Sequence, residues 1–286
     1  VDRYYRGVGR TIVQLISDIR GLKIGFTITN EDAYETVVFL HGFTGSTKTW
    51  EPVIENLPEN VRYIAIDLLG HGTTTSPSEP RRYEMQEQLA DLHELIISLQ
   101  VSSFALVGYS MGGRIALAYA IAYPTQVKHL VLESASPGLT TLIEQKARIV
   151  ADEKLADKIE TEGLESFVDF WQNIPLFNSQ KKLAERLKKN IRQERLHQSP
   201  LGLVNSLKGI GTGRQPSFWP YLEQLKIPVT LLTGELDQKF NLIAKQMNNS
   251  IANCQHIEVS SVGHAIHVEN PVQFATIIKE QLKDLI

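Results

Sequence analysis

Apolar runs of strand length recur along the chain, separated by stretches whose apolar positions repeat every three or four residues. Thr36–Leu40, Val61–Asp67, Phe104–Val107, Val127–Leu132, Pro228–Thr233 and His256–Ser260 read as strands, and Leu22–Thr29 as a weaker one. Between them, residues 84–99 carry Met85, Leu89, Leu92, Leu95, Ile96 and Leu99 at helical spacing. Ile115–Tyr123 is an alanine-rich helix ended by Pro124, and further helices are expected at 219–225, 241–248 and from Pro271 onward. This alternation predicts an α/β fold with a mostly parallel, doubly wound sheet and helices on both faces.

Two stretches depart from the alternation. Residues 137–209 show no strand pattern, much charge, and helical periodicity at 139–160, 162–172 and 180–196, which predicts a helical cap inserted into a core formed by 21–136 and 210–286. Gly209–Pro216 lacks the Gly-Lys-Ser/Thr of a phosphate loop and reads as the connector back to the core. Residues 1–20 have only the broken apolar run Val13-Gln14-Leu15-Ile16 and read as a leader, flexible or carried over from cloning, with no function assigned.

Composition narrows the function classes. At 286 residues and 42% apolar, the chain can bury a full core as one domain with an insertion. A net charge of −3 leaves no electrostatic footprint for nucleic acid or an anionic membrane. The single Cys254 excludes an internal disulfide or a cysteine metal cluster, and no apolar run has the roughly 18 residues of a membrane span. A cytoplasmic enzyme on a small molecule, with no metal or organic cofactor, is the expectation.

The candidate chemistry centres on Gly108-Tyr109-Ser110-Met111-Gly112, a G-x-S-x-G pattern between a strand and a helix. That context marks a nucleophile elbow, in which the turn is too tight for side chains beside the serine. Serine needs a base oriented by a third group. Asp237 and His264 follow the strands 228–233 and 256–260, in the chain order Ser, Asp, His of this fold; Glu235 is the rival acid and His267 the rival base. The loop His41-Gly42-Phe43-Thr44-Gly45-Ser46 after the first strong strand offers one arm of an oxyanion hole, with the N–H of Met111 as the other. His71, between two glycines, reads as a turn residue.

Arg114 is the only charged side chain between Leu95 and Val127, and it lies one turn after Ser110 on an otherwise apolar helix. A guanidinium there needs an anionic partner. That partner is either a structural acid such as Glu133 or a substrate carboxylate, which suits arginine's planar fork. In the cap, Arg195 continues the stripe Leu183, Leu187, Ile191, pointing either inward or out to solvent. Trp171 and Phe177 line a pocket or fill a core.

These segments together resemble a known family. His41–Gly45, Val107–Arg114, Glu133-Ser134-Ala135-Ser136-Pro137-Gly138-Leu139, Ile174–Phe177, Gly211-Thr212-Gly213 and Gly263–Glu269 are similar to the α/β-hydrolase-fold lyases of menaquinone biosynthesis, the 2-succinyl-6-hydroxy-2,4-cyclohexadiene-1-carboxylate synthases. The likeness runs from about residue 22 to the end; Leu69 stands where the related Asp-x-Pro-Gly-His-Gly pattern has proline. The resemblance implies elimination of pyruvate from a tricarboxylate, with Ser110 acting as base under His264 and Asp237. It also implies an oxyanion hole at Phe43 and Met111, with Tyr109 beside it and Arg114, Arg148 and Arg195 as carboxylate-binding arginines. A serine hydrolase acting on an ester or carbon–carbon bond, and a non-catalytic ligand-binding version of the fold, are the competing readings.

Overall fold

The sheet winds outward from a central pair of buried strands. The computed structural model describes residues 4–6 and 11–285. The strands are β1 (Tyr4–Arg6), β2 (Ile12–Ile19), β3 (Leu22–Thr29), β4 (Glu35–Leu40), β5 (Val61–Ile66), β6 (Phe104–Tyr109), β7 (Val127–Glu133), β8 (Val229–Gly234) and β9 (Cys254–Val259). They form one sheet in the order β1-β2-β3-β5-β4-β6-β7-β8-β9. From β5 to β9 neighbours run parallel, and β1, β2 and β3 extend the edge antiparallel.

Alternation along each strand divides the core in two. Val38 and Leu40 of β4 and Leu106 of β6 join a cluster with α2 (Met85–Ser98) and α3 (Met111–Ala122). Val37, Phe39 and Val107 point the other way, to the layer of α1 (Glu51–Ile54) and α9 (Pro271–Leu282). Strands buried on both faces are what near-continuous apolar runs encode. The remaining core helices are α7 (Gln238–Ser250) and the short α8 (Ile266–Glu269).

Residues 12–19 are a correction to the leader assignment. β2 pairs with β3 along its whole length, from Ile12 opposite Thr29 to Ile19 opposite Leu22. Arg20 and Gly21 both have positive φ (47° and 79°), the signature of a two-residue hairpin turn. Only Leu15 and Ile19 are fully buried, so this edge strand has too sparse an apolar face to read as one from sequence.

Between β7 and β8 lie α4 (Leu142–Trp171), a 3-10 segment (Pro175–Lys182), α5 (Glu185–Leu196) and α6 (Pro200–Ile210). Gly163, at φ 84° and ψ 166°, breaks α4 where the periodicity predicted a boundary. α6, capped by Ser199, was not anticipated because Gly202 and Gly209 weaken its helical pattern. Both allow close packing: a Cβ on Gly202 would lie 2.1 Å from Gly70 O, and one on Gly209 2.4 Å from Pro80 O. Ala156, Ile159, Phe167, Leu203 and Leu207 give these helices a small core of their own, packed over Phe43. Among the described residues no helix is long and apolar enough to cross a membrane.

Candidate active site

Ser110 sits between β6 and α3 at φ 50° and ψ −105°, a backbone conformation that is costly for any residue with a Cβ. Its neighbours explain the glycines. A Cβ on Gly108 would come within 2.5 Å of Gly112 O, and one on Gly112 within 2.3 Å of Leu40 O. Ser110 N–H donates to Glu133 O on β7 at 2.8 Å, which pins the turn to the neighbouring strand.

The loops after β8 and β9 bring Asp237 and His264 to the serine. His264 Nδ1 lies 2.6 Å from Asp237 Oδ2, and His264 Nε2 lies 3.1 Å from Ser110 Oγ. A carboxylate can only accept, so Nδ1 carries the proton and Nε2 is free to take one from the hydroxyl. Asp237 also accepts from Phe240 N–H at 3.3 Å. The rival groups are occupied elsewhere. Glu235 accepts from Ser261 N–H, while His267 is bound between Glu133 (2.8 Å) and Thr49 Oγ1 (2.9 Å) and stacked on Trp50.

A cavity of about 180 Å³ opens over Ser110, walled by Phe43, Tyr109, Met111, Trp171 and Phe177. Met111 is the first residue of α3, so its N–H has no acceptor within the helix. Burial, and next the nearby Glu133, push the Tyr109 phenol well above its ordinary pKa, so it stays protonated. A larger open groove of about 900 Å³, between Pro80–Gln86 and the cap, touches none of these groups.

Arg114 lines the cavity and is almost fully buried. Glu133 is not its partner, being held by His267. Instead Arg114 Nη1 donates to Ile210 O at 2.8 Å and to Gln215 Oε1 at 2.7 Å, both neutral acceptors. Burial, and next the neighbouring Arg148, lower its pKa to about 10, which still leaves it charged at neutral pH. Arg148 also lines the cavity, its Nε held by Asp152 at 2.7 Å.

Arg195 lies beside this cavity, next to two of its wall residues, Tyr109 and Phe177. Its guanidinium lies 4.8 Å from the centre of the Phe177 ring and faces a smaller neighbouring cavity of about 50 Å³. Phe43, Tyr109 and Phe177 line both cavities. The apolar stripe of α5 does turn Arg195 inward, where it is buried against Phe177. Sequence reasoning missed Asp152, Gln215, Lys239 and Phe240. Only Asp152, four residues after Arg148, carries a local signal. Among the described residues no three His, Cys, Asp or Glu side chains are grouped to hold a metal ion.

The family model described as the alpha/beta hydrolase fold matches residues 35–271. A Bacillus subtilis (strain 168) protein named putative 2-succinyl-6-hydroxy-2,4-cyclohexadiene-1-carboxylate synthase is 44% identical, covering 96% of this chain and 99% of its own. The chain belongs to that family of α/β hydrolases. The Enterobacter sp. (strain 638) synthase of the same family is 30% identical over 91% of this chain and 98% of its own. The structure of MenH from S. aureus superposes with a TM-score of 0.87 at 38% identity, covering 91% of this chain and 98% of that one. An enol-lactonase from Burkholderia xenovorans LB400, at 19% identity and a TM-score of 0.79, shares the fold.

Proposed function

We propose that this enzyme eliminates pyruvate from 2-succinyl-5-enolpyruvyl-6-hydroxy-3-cyclohexene-1-carboxylate. The product is 2-succinyl-6-hydroxy-2,4-cyclohexadiene-1-carboxylate, an intermediate of menaquinone (vitamin K2) biosynthesis. The observation that carries this reading is Arg114: a buried guanidinium in the cavity wall whose hydrogen bonds, among the described residues, go to the neutral Ile210 O and Gln215 Oε1, the nearby acid Asp152 being ion-paired with Arg148. Such a group suits an anionic substrate better than the neutral ester of an ordinary hydrolase.

The ring proton at C2 is acidified by the adjacent succinyl ketone. Ser110 Oγ removes it while its own proton passes to His264 Nε2, and Asp237 stabilises the imidazolium that forms. Charge developing on the ketone oxygen meets the N–H groups of Phe43 and Met111. The electron pair forms C2=C3, the C3=C4 pair moves to C4=C5, and the C5–O bond breaks. The departing enolate of pyruvate takes up the proton held by His264, and the ring keeps all its carbon. Arg114 and Arg148 hold substrate carboxylates against this machinery, with Tyr109, Trp171 and Phe177 as the walls.

Pyruvate release coupled to lactate dehydrogenase tests the proposal, with Ser110→Ala as control. Turnover by the wild-type chain and its loss in the variant are expected. Efficient hydrolysis of a neutral ester without pyruvate release would instead make it a serine hydrolase.

A further inference from the structure

Glu133 ends β7 and is fully buried. Its backbone oxygen accepts from Ser110 N–H at 2.8 Å. Its carboxylate accepts from two donors of His267, the backbone N–H at 3.1 Å and Nδ1 at 2.8 Å. His267 lies in α8, three residues after His264. Its other nitrogen, Nε2, lies 2.9 Å from Thr49 Oγ1, in the 3-10 turn Thr47–Trp50 that follows the oxyanion loop. Glu133 thus meets the elbow with its backbone and, through one imidazole, both the turn of the base and the loop of the oxyanion hole.

A buried acid–imidazole pair is a costly way to fill a core. Apolar side chains of similar volume often serve stability as well or better, because a buried pair gives up hydration that its mutual attraction only partly restores. An apolar pair lacks direction, however, whereas hydrogen bonds fix both distance and angle. The catalytic groups come from separate loops, and a misplacement on the order of 1 Å among them can cost about 10²-fold in rate. The rings packed between those loops tie them further. Tyr109, next to Ser110, lies 5.4 Å from the His264 ring and 4.5 Å from that of His267, and Trp50 stacks on His267 at 4.5 Å. Glu133 itself borders neither cavity, so whatever it does for the reaction it does without meeting the substrate.

We infer that Glu133 is a positioning residue: through His267 it holds the turn of His264 and the oxyanion loop in register with Ser110. This inference rests on the proposed function. Loss of the network slows the chemical step and leaves binding by the arginines almost unchanged.

The test compares pyruvate-release kinetics and denaturant midpoints of wild type, Glu133→Gln, Thr49→Val and the double variant Glu133→Met with His267→Leu. The double variant leaves no buried charge unpaired and should fold, yet its kcat should fall roughly tenfold or more with KM within about twofold. Glu133→Gln keeps an oxygen for the His267 N–H, and its amide can donate to Nδ1 once the ring proton moves to Nε2, where Thr49 Oγ1 accepts it. Its kcat should stay within about threefold of wild type. Thr49→Val keeps the shape of the side chain, removes only the link to the oxyanion loop, and should lower kcat roughly threefold at unchanged KM. Near-normal kcat in the folded double variant reduces the pair to core filling and overturns the inference. So does a loss in Glu133→Gln as large as that of the double variant, or wild-type kcat in Thr49→Val. Pyruvate release by the wild type leaves the function standing in each of these cases. Absence of pyruvate release from the wild type overturns the function itself.

Discussion

Ser179 Oγ donates to Glu269 Oε1 across 2.8 Å, joining the 3-10 segment of the cap to the turn that carries His264. The other oxygen of Glu269 accepts from Gly263 N–H at 2.9 Å, one residue before His264. The contact is tight enough that a Cβ on Gly263 would overlap Ser179 Oγ, 2.1 Å away. The same cap segment carries Phe177, which lies edge-on to the His264 ring. Cap and base thus share one acid. Glu269→Ala should lower kcat by roughly tenfold or more, because two hydrogen bonds are lost at the turn that aims His264. Glu269→Gln keeps an oxygen for Gly263 and an amide for Ser179, and should stay within about threefold of wild type. Steady-state kinetics of the pair checks this; equal losses in both variants would show that the charge, not the geometry, matters.

Ser110 stores strain that its removal should release. Ser110→Gly abolishes the nucleophile but permits φ 50° and ψ −105° without a Cβ. Unfolding stability should rise by about 1–2 kcal/mol while turnover disappears. Ser110→Ala keeps the strain and should not gain. Denaturant midpoints of the two variants decide it.

Arg114 is expected to act in the bound state. Arg114→Ala should reduce kcat/KM by on the order of 10²-fold or more, the scale of a buried charge-assisted pair. Arg114→Lys should recover little, because an ammonium cannot both hold Ile210 O and Gln215 Oε1 and present a fork to a carboxylate. Near-normal kcat/KM in the alanine variant would return Arg114 to a structural role.

Acid should destabilise the fold through His41 and His71. Burial lowers the His41 pKa to about 4 and that of His71 to about 3, the neighbouring His41 adding to the latter, against 6.5 for the free ring. As pH falls from 6.5 toward 4, the unfolded chain takes up a proton at His41 that the folded chain refuses, so stability declines over that window. At pH 5 the loss is about 2 kcal/mol for His41. Burial raises Glu194 and Glu269, which works in the opposite direction. The informative quantity is therefore the difference from His41→Gln, which retains an acceptor for Leu68 N–H. The variant should show the flatter decline in denaturant midpoint between pH 7 and 5.

Much of the core was legible in the chain because its signals are local. Apolar runs long enough for buried strands, the helical stripe from Met85 to Leu99, and glycines crowded around Ser110 each act within a few residues. The edge strand Ile12–Ile19 and helix α6 escaped notice where that local signal fades. One has only two fully buried apolar residues, and the other has glycines that serve packing against Gly70 and Pro80.

By itself, then, the sequence determined the alternation of strands and helices, the elbow, and the order of serine, acid and histidine, since backbone sterics and side-chain periodicity are written residue by residue. Only the tertiary structure decided which charge meets which. Glu133 goes to His267 across 134 positions, Arg114 to Gln215 across 101, and Ser179 to Glu269 across 90. Such pairings depend on strand register and on where the cap comes down, and no local pattern encodes either. For the same reason Arg195 could be read as inward-facing, yet its contact with the Phe177 ring emerged only in three dimensions.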